Sequence, residues 1–308
     1  MQAVRTFALL SGGSLTACPV LTQGKRIAKA CFCRVYFAFR HVAKANVCAP
    51  EIIMRKCIVV ICLVVMAICE TAIGFAAEQQ ELIVSAAASL TNALTEIGNA
   101  FEEAEHINIV FNFASSGELL KQMEQGAPVD VFASANLKFM DDAEAKKLID
   151  PATRKDFAQN SLVLIIPAES KTPIDAVEDV AAAEVQRIAI GDPASVPAGQ
   201  YAKESLEGYG IWEKVVDRFV YGNTVRQVLD YVRRGEVDAG IVFATDAALE
   251  KDAVKTVATL EHHAPVIYPI AVTTLTEKQD AAAQFVEFVV GDTGKAILEK
   301  YGFVPVKE

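Results

Sequence analysis

From residue 82 onward, short apolar runs alternate with segments whose apolar residues recur every three to four positions. Runs at 82–84, 107–113, 129–133, 162–166, 187–190, 219–221, 239–243 and 267–272 predict strands. Segments 90–103, 119–125, 141–148, 198–209, 225–233 and 281–300 predict helices, the last as one or two. The clearest is 225–233, where Val225, Val228, Leu229 and Val232 form one helical stripe. The run at 162–166 is continuously apolar, as expected of a strand covered on both faces. Repeated βα units predict an α/β fold with mainly parallel sheets. There is no long Pro/Gly linker, so two lobes would be joined by short hinges.

The first 77 residues follow different rules. All seven cysteines lie at or before Cys69. Residues 1–77 carry nine Lys/Arg against Glu51 and Glu70, a net of +7. Of the 29 basic and 39 acidic residues in the chain, 20 and 37 remain beyond residue 77, a net of −17. Within the front segment, 54–77 has the grammar of a signal peptide. Arg55 and Lys56 precede an apolar run of 12 residues, and Gly74 and Ala76 are spaced like a cleavage site. The run is short for a retained membrane anchor. A lipoprotein signal at Cys69 would want a small residue where Ile68 stands. Residues 1–53 are basic, Cys-rich and aperiodic, and are expected to be a mis-called upstream extension ahead of a true start at Met54.

The segment from residue 78 contains no Cys, so its core must suffice without disulfides, and Cys nucleophiles and Cys-ligated metals are excluded there. Its histidines are His106, His262 and His263, with no i, i+4 pair for a zinc helix. The strong negative charge argues against nucleic acid and anionic membrane surfaces as partners. Catalytic constellations are sparse. There is no G-x-S-x-G elbow, and Gly291-Asp292-Thr293-Gly294-Lys295 lacks P-loop spacing and reads as a junction between two helices. Asp130 reads as structural.

The informative places are four predicted strand-to-helix junctions, at 84–92, 113–118, 191–199 and 222–227. Each carries small or hydroxyl residues just before a helix. Ser115 with Glu118, and Thr224 with Gln227, have capping-box spacing, and Pro197 suits a first helical turn. Helix starts present unpaired N–H groups and a partial positive charge, so several converging on one point would hold an anion without Lys or Arg. Taken singly, each junction is equally an ordinary cap.

The stretches AAASLTNAL (86–94), FASSGELLKQMEQGAPVDVFASA (113–135), GDPASVPAGQYAKESL (191–206), AGIVFATDA (239–247) and YGF (301–303) carry a specific likeness. In order and together, they resemble the periplasmic molybdate-binding proteins of ABC transporters. The resemblance implies a two-lobed periplasmic-binding-protein fold of type II. Each lobe would be a mostly parallel sheet flanked by helices, with the ligand in the cleft between them. Residues 78–158 with about 271–308 would form lobe 1, and about 159–270 lobe 2. It further implies a non-enzymatic, periplasmic, monomeric carrier without a cofactor, which delivers molybdate or tungstate to a membrane permease. Carried over by motif, the ligand contacts are the hydroxyls of Ser89 and Ser116, the amides of Ala198 and Val225, and position Phe243. Relatives commonly carry Tyr at this last position, so a phenolic donor is lost here; a nearby hydroxyl such as Thr245 is a candidate substitute.

None of the five residues is acidic. Molybdate is a tetrahedral dianion with no proton to donate, which suits a site made only of donors. Two alternatives stand beside this reading. One is a carrier for another oxyanion such as sulfate. The other is an exported serine hydrolase, which would need a base among His106, His262 and His263, none of which lies in the Ser-bearing motifs.

Overall fold

A computed structural model describes residues 80–306. The expected upstream extension (1–53) and signal peptide (54–77) lie outside the described residues. The strands are β1 (Glu81–Ala87), β2 (Asn108–Ala114), β3 (Val131–Ala133), β4 (Lys155–Asn160), β5 (Leu162–Pro167), β6 (Ile188–Gly191), β7 (Phe219–Gly222), β8 (Ala239–Phe243), β9 (Val254–Thr259), β10 (Val266–Val272) and β11 (Val304–Pro305). The helices are α1 (Thr91–Glu105), α2 (Ser116–Glu124), α3 (Leu137–Ala145), α4 (Pro197–Gly208), α5 (Trp212–Val215), α6 (Val225–Arg233), α7 (Ala244–Leu249), α8 (Gln279–Val290) and α9 (Asp292–Lys300).

These elements build two sheets, ordered β11-β4-β10-β3-β1-β2 and β7-β6-β8-β5-β9. In the first, β1 runs parallel to both β2 and β3. In the second, β6 runs parallel to both β7 and β8. The remaining pairings are antiparallel: β10 with β3 and β4, β11 with β4, and β5 with β8 and β9. The expectation of mostly parallel sheets is therefore corrected to mixed ones. The physical reason is how the chain travels between sheets. It leaves β4 and enters β5 with only Ser161 between them, and returns from β9 to β10 through residues 260–265. The outgoing and returning strands are neighbours in each sheet, β4 beside β10 and β5 beside β9, and so run in opposite directions. The first sheet thus takes Lys155–Asn160 on the way out and Val266–Val272 on the way back.

Each sheet has its own helices, and each set forms a lobe. The stripe of α6 packs as read: Val225, Val228, Leu229 and Val232 are all buried. Each such side chain contributes about 1.5–3 kcal/mol relative to exposure. Strand β5 lies between β8 and β9 with Leu162–Ile166 buried, in keeping with its continuous apolar run. Helix α3 begins earlier than the apolar pattern placed it, because the Asn136 side chain accepts from the amide of Phe139 and starts the helix there. The 291–295 segment joins α8 to α9. Asp130 is tied into the first lobe: its carboxylate accepts from the Ile83 amide at 2.7 Å and from the Thr276 hydroxyl, with Lys278 Nζ at 3.4 Å.

The topology fixes where a ligand can sit. In each sheet the chain moves to one side of a central parallel strand and then to the other, around β1 and around β6. At such switch points the loops beyond the carboxyl ends of the strands part and leave a crevice.

Candidate functional site

Four helical starts meet at those strand ends. β1 runs into a 3-10 turn, Ala88–Leu90, ahead of α1. β2 passes through Ser115 into α2, whose cap is the Ser115 hydroxyl accepting from the Glu118 amide. β6 leads to α4 with Pro197 in its first turn. β7 leads to α6, capped by the Thr224 hydroxyl accepting from the Gln227 amide at 3.2 Å. One cavity is lined by residues from all four junctions and from the end of β8: Ser89, Ser116, Ala198, Val225 and Phe243 are all in its wall. What the sequence left open, whether these starts converge, is resolved by the fold: they do.

The cavity is small. Its volume is about 200 Å³, the open space at its mouth included. Pockets for larger organic ligands run from about 300 Å³ upward, so the space suits one small species. Its wall contains no acidic and no basic side chain. The amides of Ser116, Ala198 and Val225, each in a first helical turn, donate to no protein acceptor among the described residues. Buried N–H groups of this kind seek a partner. Helix starts α2, α4 and α6 add their dipoles at the same place.

The two serines are held so that they can donate. Ser116 is fully buried, and its Oγ accepts from the Ala135 amide at 3.0 Å. With the oxygen so engaged, its own proton is free for the cavity. Ser89 is also buried, with its Oγ 3.1 Å from the phenolic oxygen of Tyr268. Phe243, 1% exposed, places its ring 5.8 Å from that of Tyr268 and 6.4 Å from that of Tyr201. The Thr245 hydroxyl is not in the cavity wall; it accepts from Asn160 Nδ2 at 2.8 Å.

Hydrogen bonds join the lobes around the cavity. The Gly117 amide donates to the Ser195 carbonyl at 3.0 Å, Asn136 Nδ2 to Gln200 Oε1 at 2.6 Å, and Arg226 Nη2 to the Ser89 carbonyl at 3.3 Å. Arg226 Nε also lies against the carboxylate of Asp246, which is fully buried. That contact is one of charge, since neither carboxylate oxygen has an aligned hydrogen bond. Burial pushes the Asp246 carboxyl up to about 6, against the opposing pull of Arg226.

Sequence reasoning missed Tyr268, Asn160, Arg226 and Asp246. For Tyr268 a signal was present: it is the one phenol in an otherwise apolar strand, VIYPIAV. A buried Tyr hydroxyl usually has a partner. The other three sit at a lobe passage or beside a helix start, where their partners depend on tertiary structure.

A two-lobed α/β protein with a small, neutral, donor-lined cavity between its lobes is built as a solute carrier. A family model described as Bacterial extracellular solute-binding protein matches residues 82–304, and the chain belongs to that family. Among its relatives is a candidate ABC transporter substrate-binding lipoprotein of Bacillus subtilis, 41% identical over 229 residues, which are 72% of this chain and 85% of the relative. The molybdate-binding protein ModA of Haemophilus influenzae is 40% identical over 238 residues, 75% of this chain and 93% of the relative. Among solved structures, the substrate-binding domain of a candidate molybdenum ABC transporter from Clostridium difficile superposes with a TM-score of 0.58 at 36% identity. That match covers 74% of this chain and 99% of the other.

Proposed function

We propose that the protein captures molybdate, and equally tungstate, in the cavity between its lobes and delivers it to an ABC transporter permease. The observation that carries this reading is the cavity wall, which combines two serine hydroxyls and three helix-start amides that have no protein acceptor among the described residues, with no carboxylate. A fully deprotonated tetrahedral dianion accepts on every oxygen, so each donor finds a partner. Hydrogen phosphate carries a proton that would find no carboxylate to accept it, and an unsatisfied buried polar group costs about 1–3 kcal/mol. Sulfate is deprotonated too and would be discriminated by size in a cavity with fixed walls. The match to ModA proteins supports molybdate over sulfate. Tungstate shares the size and charge of molybdate, and nothing in the wall separates them.

The site works through Ser89, Ser116, Ala198, Val225 and Phe243. No step of bond making is assigned to them; the protein binds and releases. Export through segment 54–77 would place it in the periplasm, and its acidic surface offers carboxylates for docking on a permease. Titration calorimetry with molybdate, tungstate, sulfate and phosphate tests the reading. Micromolar or tighter binding of the first two, with sulfate and phosphate much weaker, is expected. No response to molybdate at micromolar levels would sink it.

A further inference from the structure

The hydroxyl of Ser89 belongs to a chain of hydrogen bonds whose direction can be read from its far end. Asn160 is the last residue of β4, at the passage to the second lobe. Its Oδ1 accepts from the Ser161 amide at 2.9 Å, which fixes the orientation of the side-chain amide. The Nδ2 group then faces the other way and spends its two protons on Thr245 Oγ1 at 2.8 Å and on the Tyr268 phenol at 3.2 Å. Tyr268 belongs to β10, the strand that returns from the second lobe, and is fully buried. Having accepted from Asn160, its oxygen must place its own proton elsewhere. Among the described residues, the acceptor within its reach is Ser89 Oγ at 3.1 Å. Ser89 in turn has its oxygen engaged and its proton free, on the cavity side.

We infer that Tyr268 and Asn160 are positioning residues that hold the Ser89 hydroxyl as a donor toward the anion, so that the cavity selects fully deprotonated oxyanions. Neither residue lines the cavity; both act through Ser89. Burial, and secondarily the charge of Asp246, holds the phenol well above its ordinary ionisation range, so its proton is always available. The chain also explains how the site works with Phe243 in place of a tyrosine: a phenol still serves the anion, one hydroxyl removed, from a different strand. The inference rests on the oxyanion reading of the same cavity.

A double-mutant cycle tests it, with sodium molybdate as the calorimetric titrant. Tyr268→Phe keeps the ring and removes the donor. It is expected to weaken molybdate binding by about fivefold to tenfold, the worth of one hydrogen bond. In a Ser89→Ala background the same change is expected to alter affinity by less than about twofold, because the group it orients is gone. Asn160→Ala is expected to behave the same way with a smaller loss, and carries the cycle if Tyr268→Phe does not fold. A role confined to packing or to joining the strands would weaken binding by the same factor in both backgrounds, and that result overturns the inference. So does an unchanged affinity for both variants in the Ser89 protein. If the unmodified protein ignores molybdate but binds sulfate, the molybdate reading fails by itself, and the same cycle is decided with sulfate. Binding of neither anion overturns both.

Discussion

The backbone amide of Gly117 donates across the cleft to the carbonyl of Ser195 at 3.0 Å, so a main-chain bond from the first turn of α2 joins the two lobes beside the cavity. The approach leaves no room for a side chain. A Cβ on Gly117 would stand 2.7 Å from the Ser195 oxygen, 2.8 Å from its Cα and 2.9 Å from the Phe139 ring. Two of those three neighbours are backbone of the opposite lobe. Gly117→Ala should therefore hold the lobes apart. Overpacking of this kind costs about 1–3 kcal/mol, and a tenfold or greater loss of molybdate affinity by calorimetry is expected. The contacts with Ser195 arise only when the lobes meet, whereas the Phe139 ring crowds the new methyl within its own lobe, so the melting temperature without ligand should fall by less than the affinity does.

Ser89→Ala and Ser116→Ala should each weaken oxyanion binding by about 1–3 kcal/mol, the range for hydrogen bonds to a charged partner. Each should also show a cost in a second measurement. Ser116 Oγ is the acceptor of the Ala135 amide, so its removal strands a buried N–H and should also lower stability in urea unfolding. Ser89→Ala strands the buried Tyr268 hydroxyl, whose partner it removes, and should lower the unfolding midpoint too.

Phe243→Tyr should tighten molybdate binding, by up to about tenfold, by restoring a phenolic donor in the cavity wall. Its ring is steadied between Tyr201 and Tyr268, which limits the ways the new hydroxyl can turn. Weaker binding in calorimetry would mean that the added oxygen crowds the anion, and would count against Phe243 as a ligand-facing position.

Asp246 gives a pH signature with a definite sign. Its carboxyl is raised from 3.8 to about 6 in the folded protein, first because it is buried, with Arg226 pulling the other way. Between those values the folded state holds a proton that the unfolded chain has lost. This group's contribution is therefore fully present below pH 4 and is lost as pH rises through about 6. Urea unfolding from pH 4 to 7 should show a shallower decline, or a steeper rise, for Asp246→Asn than for the unmodified chain. A carboxyl carbon titrating near 6 in NMR spectra, absent from that variant, would assign the group directly.

Much of this arrangement was legible before any coordinates. The apolar run of β5 and the stripe of α6 announced their burial, and the capping spacings at Ser115 and Thr224 marked helix starts that formed there. Strand β4 was not legible, because KDFAQN is largely polar and owes its pairing to residues more than a hundred positions away, as when Gln159 meets Ile267 and Val304. Edge strand β9, VKTVAT, with two exposed residues in succession, was lost for a similar reason. The mixed strand directions followed from the pairing of outgoing with returning strands, which leaves no periodic trace. At the site, the five carried-over positions could be named from motif likeness, but their convergence is a property of two switch points facing each other. The chain from Asn160 through Tyr268 to Ser89 spans residues that only the sheet brings together.

The cavity wall holds no side chain whose charge changes near neutrality. Its attraction comes from peptide groups and alcohols, which cannot gain or lose a proton at any acidity a bacterium survives. A carrier facing the outside world shares the acidity of its surroundings, with no cytoplasmic buffering to protect it. Uptake built on lysine, histidine or carboxylate contacts would drift with each change of habitat. Here the groups that line the cavity keep their protons across that range, and the anion's own acid–base chemistry decides which species they meet.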